Sequence, residues 1–409
     1  MTTEALPPGT VLGPFELAGV LGAGSFGTVY AAYVLPGRAR VALKVLHPHL
    51  LHHKQAYARF IREAQITARI KHPHVVDIVS IGQEGPYVYF CMEYLDGEPL
   101  SAMIRRAGAL SLAEIAKIMV PVLSGVAAIH DVGCVHRDLK PGNIFLWKPA
   151  PGLVHPKILD FGVVKPLDSS APDALTTPQG TPEKPLDPLT HSQMALGTPH
   201  YMAPEQILDS QSAGPSCDQW ALGVILYECV TGTRPFLGGS VYDVFDKVLK
   251  KPFVPPSKVK SSIPASFEAL ILRMLEREPA KRFPSVRAVG AALLEFADAA
   301  TRKRYGREFG LQIIHDTITD DDEVAHEHAA LSILAPDQLH EPLSTLDAIG
   351  SLRPRVNHDA KFVPADLDAE RRTSKFAALA WSVTMMLFAC VLGAWKPWAT
   401  DAPHQKPPV

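Results

Sequence analysis

The chain has 409 residues, 47% hydrophobic and 20% charged, with a formal net charge of −2. That length suits two regions, or one large domain with a tail, and allows a sizeable core. The near-balanced charge excludes a global field favouring nucleic acid or an anionic membrane, so no nucleic-acid partner is expected. The five cysteines are odd in number and form no C-x-x-C pair, which argues against a disulfide framework or a zinc site and fits a reducing compartment.

In chain order, residues 1–11 read as an N-terminal tail, and Met1 to Pro14 has no basic segment followed by an apolar run, so no signal peptide is expected. From Phe15 to Met92 the pattern is mostly strand-like, with runs such as Arg40 to Leu46 and Tyr87 to Glu93 between glycine and proline turns. Inside it, Leu21-Gly22-Ala23-Gly24-Ser25-Phe26-Gly27-Thr28-Val29 carries G-x-G-x-x-G. The same spacing marks dinucleotide folds, where a helix follows it. Here a second strand-like run follows and ends in Val41-Ala42-Leu43-Lys44, which suits a hairpin folded over nucleotide phosphates. Glycines at 22, 24 and 27 let main chain approach phosphate oxygens, although a glycine-rich hairpin without function would show the same pattern. A lysine ending an apolar strand is poorly placed unless an anion meets it. Glu63, on the one helical stretch of this region (Gln55 to Ile70), is the candidate carboxylate, although by itself it reads as part of a solvated helix face.

From Leu100 to Ala300 the pattern becomes mainly helical, for example Leu112 to His130, Cys217 to Thr231 and Ser266 to Glu276. A small sheet-rich lobe followed by a larger helical lobe predicts an α+β arrangement with a cleft between them. Into the helical part fall His136-Arg137-Asp138-Leu139-Lys140-Pro141-Gly142-Asn143, then Asp160-Phe161-Gly162, then Gly197-Thr198-Pro199-His200-Tyr201-Met202-Ala203-Pro204-Glu205. Between the last two, residues 166–193 carry six prolines among Ser, Thr, Asp and Gly and show no apolar face, so an exposed, mobile loop is expected. Residues 301–375 are mixed, with an acidic patch at Asp320 to Glu323, and read as a linker. Phe376 to Trp395 contains no charge. At 1.5 Å per residue it reaches about 30 Å, the thickness of a bilayer core, so a transmembrane helix is expected. Arg371, Arg372 and Lys375 precede it, which places the preceding domain in the cytoplasm and leaves 396–409 as a short outer tail. A buried helix of a further domain is the alternative reading of this segment.

Together these motifs resemble the protein kinase family, in family order, over residues 12–300. The resemblance implies the bilobal kinase fold: an N-lobe (12–92) of mainly antiparallel sheet with one helix, and a C-lobe (96–300) that is mainly α. It implies ATP and Mg²⁺ as cofactors, with Mn²⁺ an acceptable substitute. It also implies Ser/Thr-containing proteins as substrates and a homodimer as the arrangement for phosphorylation between copies. By resemblance, Asp138 takes the proton from the substrate hydroxyl, Lys140 neutralises the transferring phosphoryl group, and Asn143 and Asp160 hold the metal. Lys44, paired with Glu63, meets the α/β-phosphates. The ATP site then comprises Leu21, Gly22, Ala23, Gly24, Ser25, Phe26, Gly27, Val29, Ala42, Met92, Phe145 and Leu159, with main-chain groups of Glu93 and Leu95 on the adenine edge; an ordinary core would also use most of these apolar positions.

Asp218 is expected to brace the catalytic loop, Arg282 to pair with Glu205, and Thr198 to contact Asp138 and Lys140. Arg137, with Lys165 and Arg59, is expected to receive a phosphate on Thr190 or Ser192, with Thr177 and Thr181 weaker candidates. Lys140 and the G-T-x-x-Y segment are similar to the serine/threonine branch, and His-Tyr-Met-Ala-Pro-Glu-Gln to bacterial, membrane-anchored members. A scaffold lacking activity and a small-molecule phosphotransferase are the competing classes. The first is disfavoured by the complete set Lys44, Glu63, Asp138, Asn143 and Asp160, the second by the segment before Glu205. The stretch from Asp160 to Glu205 is longer than usual in the family, which leaves the geometry of that loop open.

Overall fold

In the computed structural model, residues 5–160, 198–209 and 213–310 are described, together with the main chain of Lys165–Pro166. They lie within one compact unit. The expected loop at 166–193, Thr190, Ser192, the linker beyond residue 310 and the apolar segment 376–395 lie outside the described residues, as do Phe161 and Gly162.

The N-terminal lobe is a six-stranded antiparallel sheet. Its strands are β1 (Val11–Leu12), β2 (Phe15–Ala23), β3 (Gly27–Val34), β4 (Arg40–Leu46), β5 (Ile78–Glu84) and β6 (Tyr87–Glu93), in the spatial order β1-β2-β3-β4-β6-β5. Strand alternation divides its side chains between two faces. Tyr30, Ala32, Val41, Leu43, Val45 and Cys91 fill an outer cluster with Leu12, Phe15 and Tyr89. The register sets Val29 opposite Lys44 and Lys44 opposite Phe90, and sets Ala42 between Ala31 and Met92, so these residues share the other face. Across the sheet lies helix α1 (Lys54–Arg69), whose Phe60 packs on Phe90 with ring centroids 5.0 Å apart. The stretch expected at Gln55 to Ile70 is therefore a helix one residue earlier at each end.

Beyond β6 come β7 (Gly97–Pro99) and the helices of the second lobe: α2 (Leu100–Ala107) and α3 (Leu112–Asp131). Ser111 and Glu114 satisfy each other's main-chain N–H groups in a capping box that starts α3. This helix is long and apolar enough to cross a membrane, but it is the mostly buried centre of the lobe. Short strands β8 (Cys134–Val135), β9 (Ile144–Trp147) and β10 (His155–Ile158) carry the loops of the site, and β11 (Lys165–Pro166) pairs with β8. The remaining helices are α4 (Pro204–Leu208), α5 (Ser216–Thr231), α6 (Val241–Lys250), α7 (Pro256–Val259), α8 (Ala265–Met274), α9 (Val286–Leu293) and α10 (Ala299–Tyr305). Helix α5 buries residues on every face and forms the second axis of the core. The packed structure continues past residue 300, where the sequence placed the domain end. Tyr305 and Phe309 are buried, and the Phe309 ring occupies the space a side chain at Gly290 would need.

Candidate active site

Lys44 ends the inward-facing row of β4. Its ammonium donates to Glu63 Oε1 of α1 (2.8 Å) and to Asp160 Oδ1 (2.7 Å), which follows β10. Burial alone would lower the Lys44 pKa, but the two carboxylates outweigh it and the pKa is raised, so the side chain is a permanent cation. Burial alone would raise the Asp160 carboxyl, but Lys44 holds it below the usual carboxylate range, with help from Lys140. Glu63 is raised by burial, against the pull of Lys44. Asp160 adopts a left-handed main chain, φ +47°. A non-glycine residue rarely takes that conformation unless its surroundings hold it there. The Lys44 bond is one restraint; another is the adjoining Leu159, whose N–H donates to Asn143 O (2.8 Å).

The catalytic-loop residues are braced from below. Asp218, at the start of α5, accepts from the main-chain N–H of both His136 and Arg137 (2.9 Å each). It also accepts from His130 Nε2 (2.8 Å). Burial would raise this carboxyl, but the His130 bond and the surrounding donors lower it. The brace holds Arg137 in its left-handed conformation, φ +66°. The next residue, Asp138, accepts from Lys140 Nζ (2.7 Å). Asn143 Nδ2 donates to Asp138 O (2.9 Å), which commits the amide nitrogen and leaves Oδ1 as the atom for another partner. Arg282, completely buried, makes a two-pronged ion pair with Glu205 (2.6 and 2.8 Å), as the sequence predicts, and also bonds Ser216 O.

The glycine-rich segment is the β2–β3 hairpin, closed by Gly24 N–H to Gly27 O (2.9 Å). Its glycines have different causes. A Cβ at Gly22 would meet nothing within 4 Å, and one at Gly24 nothing nearer than 3.8 Å, so these two leave main chain open to a ligand. A Cβ at Gly27 would sit 2.2 Å from Val45 O, so the approach of β4 by itself requires glycine at Gly27. Ala42 is buried, Val29, Met92, Leu95 and Phe145 are half-buried, and Leu21 is exposed at the cleft rim. The Glu93 N–H already donates to Asp77 O (3.1 Å). Its carboxylate accepts from Lys157 Nζ (2.6 Å), which leaves the Glu93 carbonyl as the group for an adenine edge.

Hard oxygen donors at Asn143 and Asp160 fit Mg²⁺, which uses one or two carboxylates and completes its shell with phosphate and water. Among the described residues no three or more His, Cys, Asp or Glu side chains converge on a self-sufficient metal site, and this mode of binding needs none. The expected cluster of Arg137, Arg59 and Lys165 is only partly visible. Arg137 donates to Ala213 O, Arg59 is exposed, and the side chains of Lys165 and Thr198 lie outside the described residues. Sequence reasoning did not find His130, Lys157 or Gln206, whose Nε2 donates to Arg137 O (2.9 Å); a lone polar residue on a helix or strand gives no signal of such a role.

Comparison with known proteins agrees with this geometry. The protein kinase domain family matches residues 15–292. Serine/threonine-protein kinase Pkn1 of Myxococcus xanthus is 35% identical over 317 residues, covering 76% of this chain and 43% of the relative. Serine/threonine-protein kinase PknA of Mycobacterium tuberculosis is 34% identical over 303 residues, covering 73% and 63%. For serine/threonine-protein kinase PksC of Streptomyces coelicolor the figures are 32% over 295 residues, 70% and 49%. The matched stretches thus span between two fifths and two thirds of these relatives.

Proposed function

This chain belongs to the protein kinase family, and from that premise we propose that it transfers the γ-phosphoryl group of ATP to serine or threonine hydroxyls of proteins. The observation that carries the reading is the intact Lys44–Glu63–Asp160 ion-pair set, placed beside Asp138, Lys140 and Asn143. Phosphoryl transfer asks a protein mainly for positioning and charge stabilisation, and these groups supply both. Lys44 binds α/β-phosphate oxygens, and Glu63 keeps its ammonium in place. Asp138 accepts the proton of the incoming hydroxyl, and Lys140, already 2.7 Å from Asp138, stabilises charge on the phosphoryl oxygens. Asn143 Oδ1 and Asp160 would hold Mg²⁺. When bound, the ion neutralises charge on the β- and γ-phosphate oxygens.

The full chain, incubated with γ-labelled ATP, Mg²⁺ and a generic basic protein, should label serine or threonine. Asp138→Asn should cut transfer at least about a hundredfold while leaving the fold intact. Label passing to a small molecule and not to protein would favour the phosphotransferase class, and no transfer at all would favour a scaffold.

The finer reading is a membrane-anchored signalling kinase. Residues 376–395 would cross the bilayer once, 311–375 would act as a tether, and the kinase domain would face the cytoplasm. Tethering raises local concentration, so copies would phosphorylate one another at Thr190 or Ser192. Sedimentation of the full chain with membranes, resistant to salt and alkali, tests the anchor; mass spectrometry of enzyme incubated with ATP tests the sites.

A further inference from the structure

His47, the residue after β4, belongs to none of the motifs, yet it makes two contacts with the glycine-rich hairpin. Its main-chain N–H donates to Phe26 O (3.0 Å), and its ring Nε2 lies 3.0 Å from Gly24 O, the carbonyl at the hairpin tip. A carbonyl only accepts, so Nε2 carries the proton and donates. The rest of His47 is fixed as well. Its carbonyl accepts from Leu50 N–H in the turn begun by Pro48, and its ring stacks on His49 at 5.5 Å and 14°.

The side of the sheet on which His47 lies gives the contact its meaning. Val41, Leu43 and Val45 face the outer cluster, whereas Lys44 faces the cleft. The main chain at His47 is still extended (φ −61°, ψ 128°), so the alternation continues and its ring falls on the outer face. There it lines a small cavity with Thr28, Tyr30 and Val45. The ring therefore draws Gly24 O toward the face opposite Lys44. Within one planar trans peptide, C=O and the following N–H point in opposite directions. Holding Gly24 O outward turns the Ser25 N–H inward, to the side on which Lys44 and Asp160 lie. Gly24 has no side chain to help fix that peptide, and a Cβ there would meet nothing nearer than 3.8 Å, so the His47 bond is what orients its carbonyl.

We propose that His47 is a positioning residue for the nucleotide: by binding Gly24 O from behind, it presents the Ser25 N–H to a terminal phosphate oxygen of ATP. The proposal rests on the kinase reading and adds a residue to it. The test uses the full chain in detergent, with binding of a non-hydrolysable ATP analogue and of adenosine measured alongside steady-state kinetics. His47→Ala should weaken the analogue and raise KM for ATP about three- to tenfold, the scale of one partly exposed hydrogen bond. Adenosine binding, KM for the protein substrate and kcat should change less than twofold. His47→Gln, whose amide nitrogen reaches to about the position of Nε2, should restore analogue binding, whereas the shorter His47→Asn should not. Unchanged analogue binding in His47→Ala, an equal loss of adenosine, or no difference between Gln and Asn would overturn the proposal. If the wild type bound the analogue but transferred nothing, the kinase reading would fail while the His47 comparison could still be scored from binding.

Discussion

Two groups of titratable side chains, one in the cleft and one built partly on the segment joining α1 to β5, respond to burial with opposite outcomes. In the cleft, Lys44 sits between Glu63 and Asp160 and all three make ion pairs. At the segment, His72, His74 and His155 gather with Tyr305 and Glu308. His74 stacks on His155 at 4.4 Å, its Nδ1–H donates to Pro156 O (2.8 Å), and its Nε2 accepts from the Tyr305 hydroxyl (2.6 Å). His72 donates to Ser124 Oγ, which in turn donates to Glu308. Burial lowers all three histidines, His74 to about 3; for His74 the neighbouring His155 and His72 and Arg304 add to it. The cleft contains both signs, so its charges survive; the rear cluster is mostly bases and dipoles, so its histidines stay neutral. Retained charge marks the place that would bind phosphate in the proposed reaction, and neutrality marks a tie between chain segments.

The comparison is broken most directly by removing the central cation. Lys44→Met leaves two carboxylates facing each other and nothing to meet the phosphates. Turnover should fall at least about a hundredfold, roughly 2.7 kcal/mol of transition-state stabilisation. Circular dichroism should show the fold retained. Activity within tenfold of wild type would mean that the ion-pair set does not carry the chemistry.

Acid should act first on the other group. The folded-state pKa of these histidines lies below the unfolded value near 6.5, so between the two the unfolded chain binds more protons. Their contribution is complete above about pH 6.5 and is lost as pH falls, for His74 down to about 3. Each such histidine adds about 1.4 kcal/mol of lost stability per pH unit within its window. Glu308 moderates this by favouring a charged His72, while Lys157 disfavours it. Denaturant unfolding of the described domain between pH 7 and 5 should show that slope, and it should become shallower in His74→Gln. An unchanged slope would place the acid sensitivity elsewhere.

The cleft was legible in the sequence and the rear cluster was not. The cleft groups sit in fixed motifs, His136 to Asn143 and Asp160 to Gly162, because the chemistry demands those residue types at those spacings. The strands Arg40 to Leu46 and Tyr87 to Glu93 were legible from their apolar runs. His72 and His74, His155, and Tyr305 come from three distant places, and only the fold brings them within hydrogen-bonding or stacking reach. The close approach of β4 at Gly27 was not legible, because a glycine pattern does not separate a close strand approach from a close ligand approach. His47 escaped notice because its proposed role depends on which side of the sheet its ring falls, just beyond the end of β4.

The smallest expected effect sharpens the comparison most, because it should touch one group and leave the other alone. Tyr305 anchors the last packed turn through its hydroxyl on His74, while its ring stacks on Phe309 at 6.3 Å. Tyr305→Phe keeps the ring and removes the donor, leaving the buried His74 Nε2 without that partner. The cost should be about 1–2 kcal/mol, the penalty of an unsatisfied buried acceptor, read as a lower denaturant midpoint with an unchanged slope. The cleft shares no side chain with this contact, so kcat and KM for ATP should remain within twofold of wild type. A loss of kcat in Tyr305→Phe at temperatures where the protein is fully folded would show that the two groups are coupled through the segment from α1 to β5. The tie at the segment would then set the position of Glu63 as well as the stability of the domain.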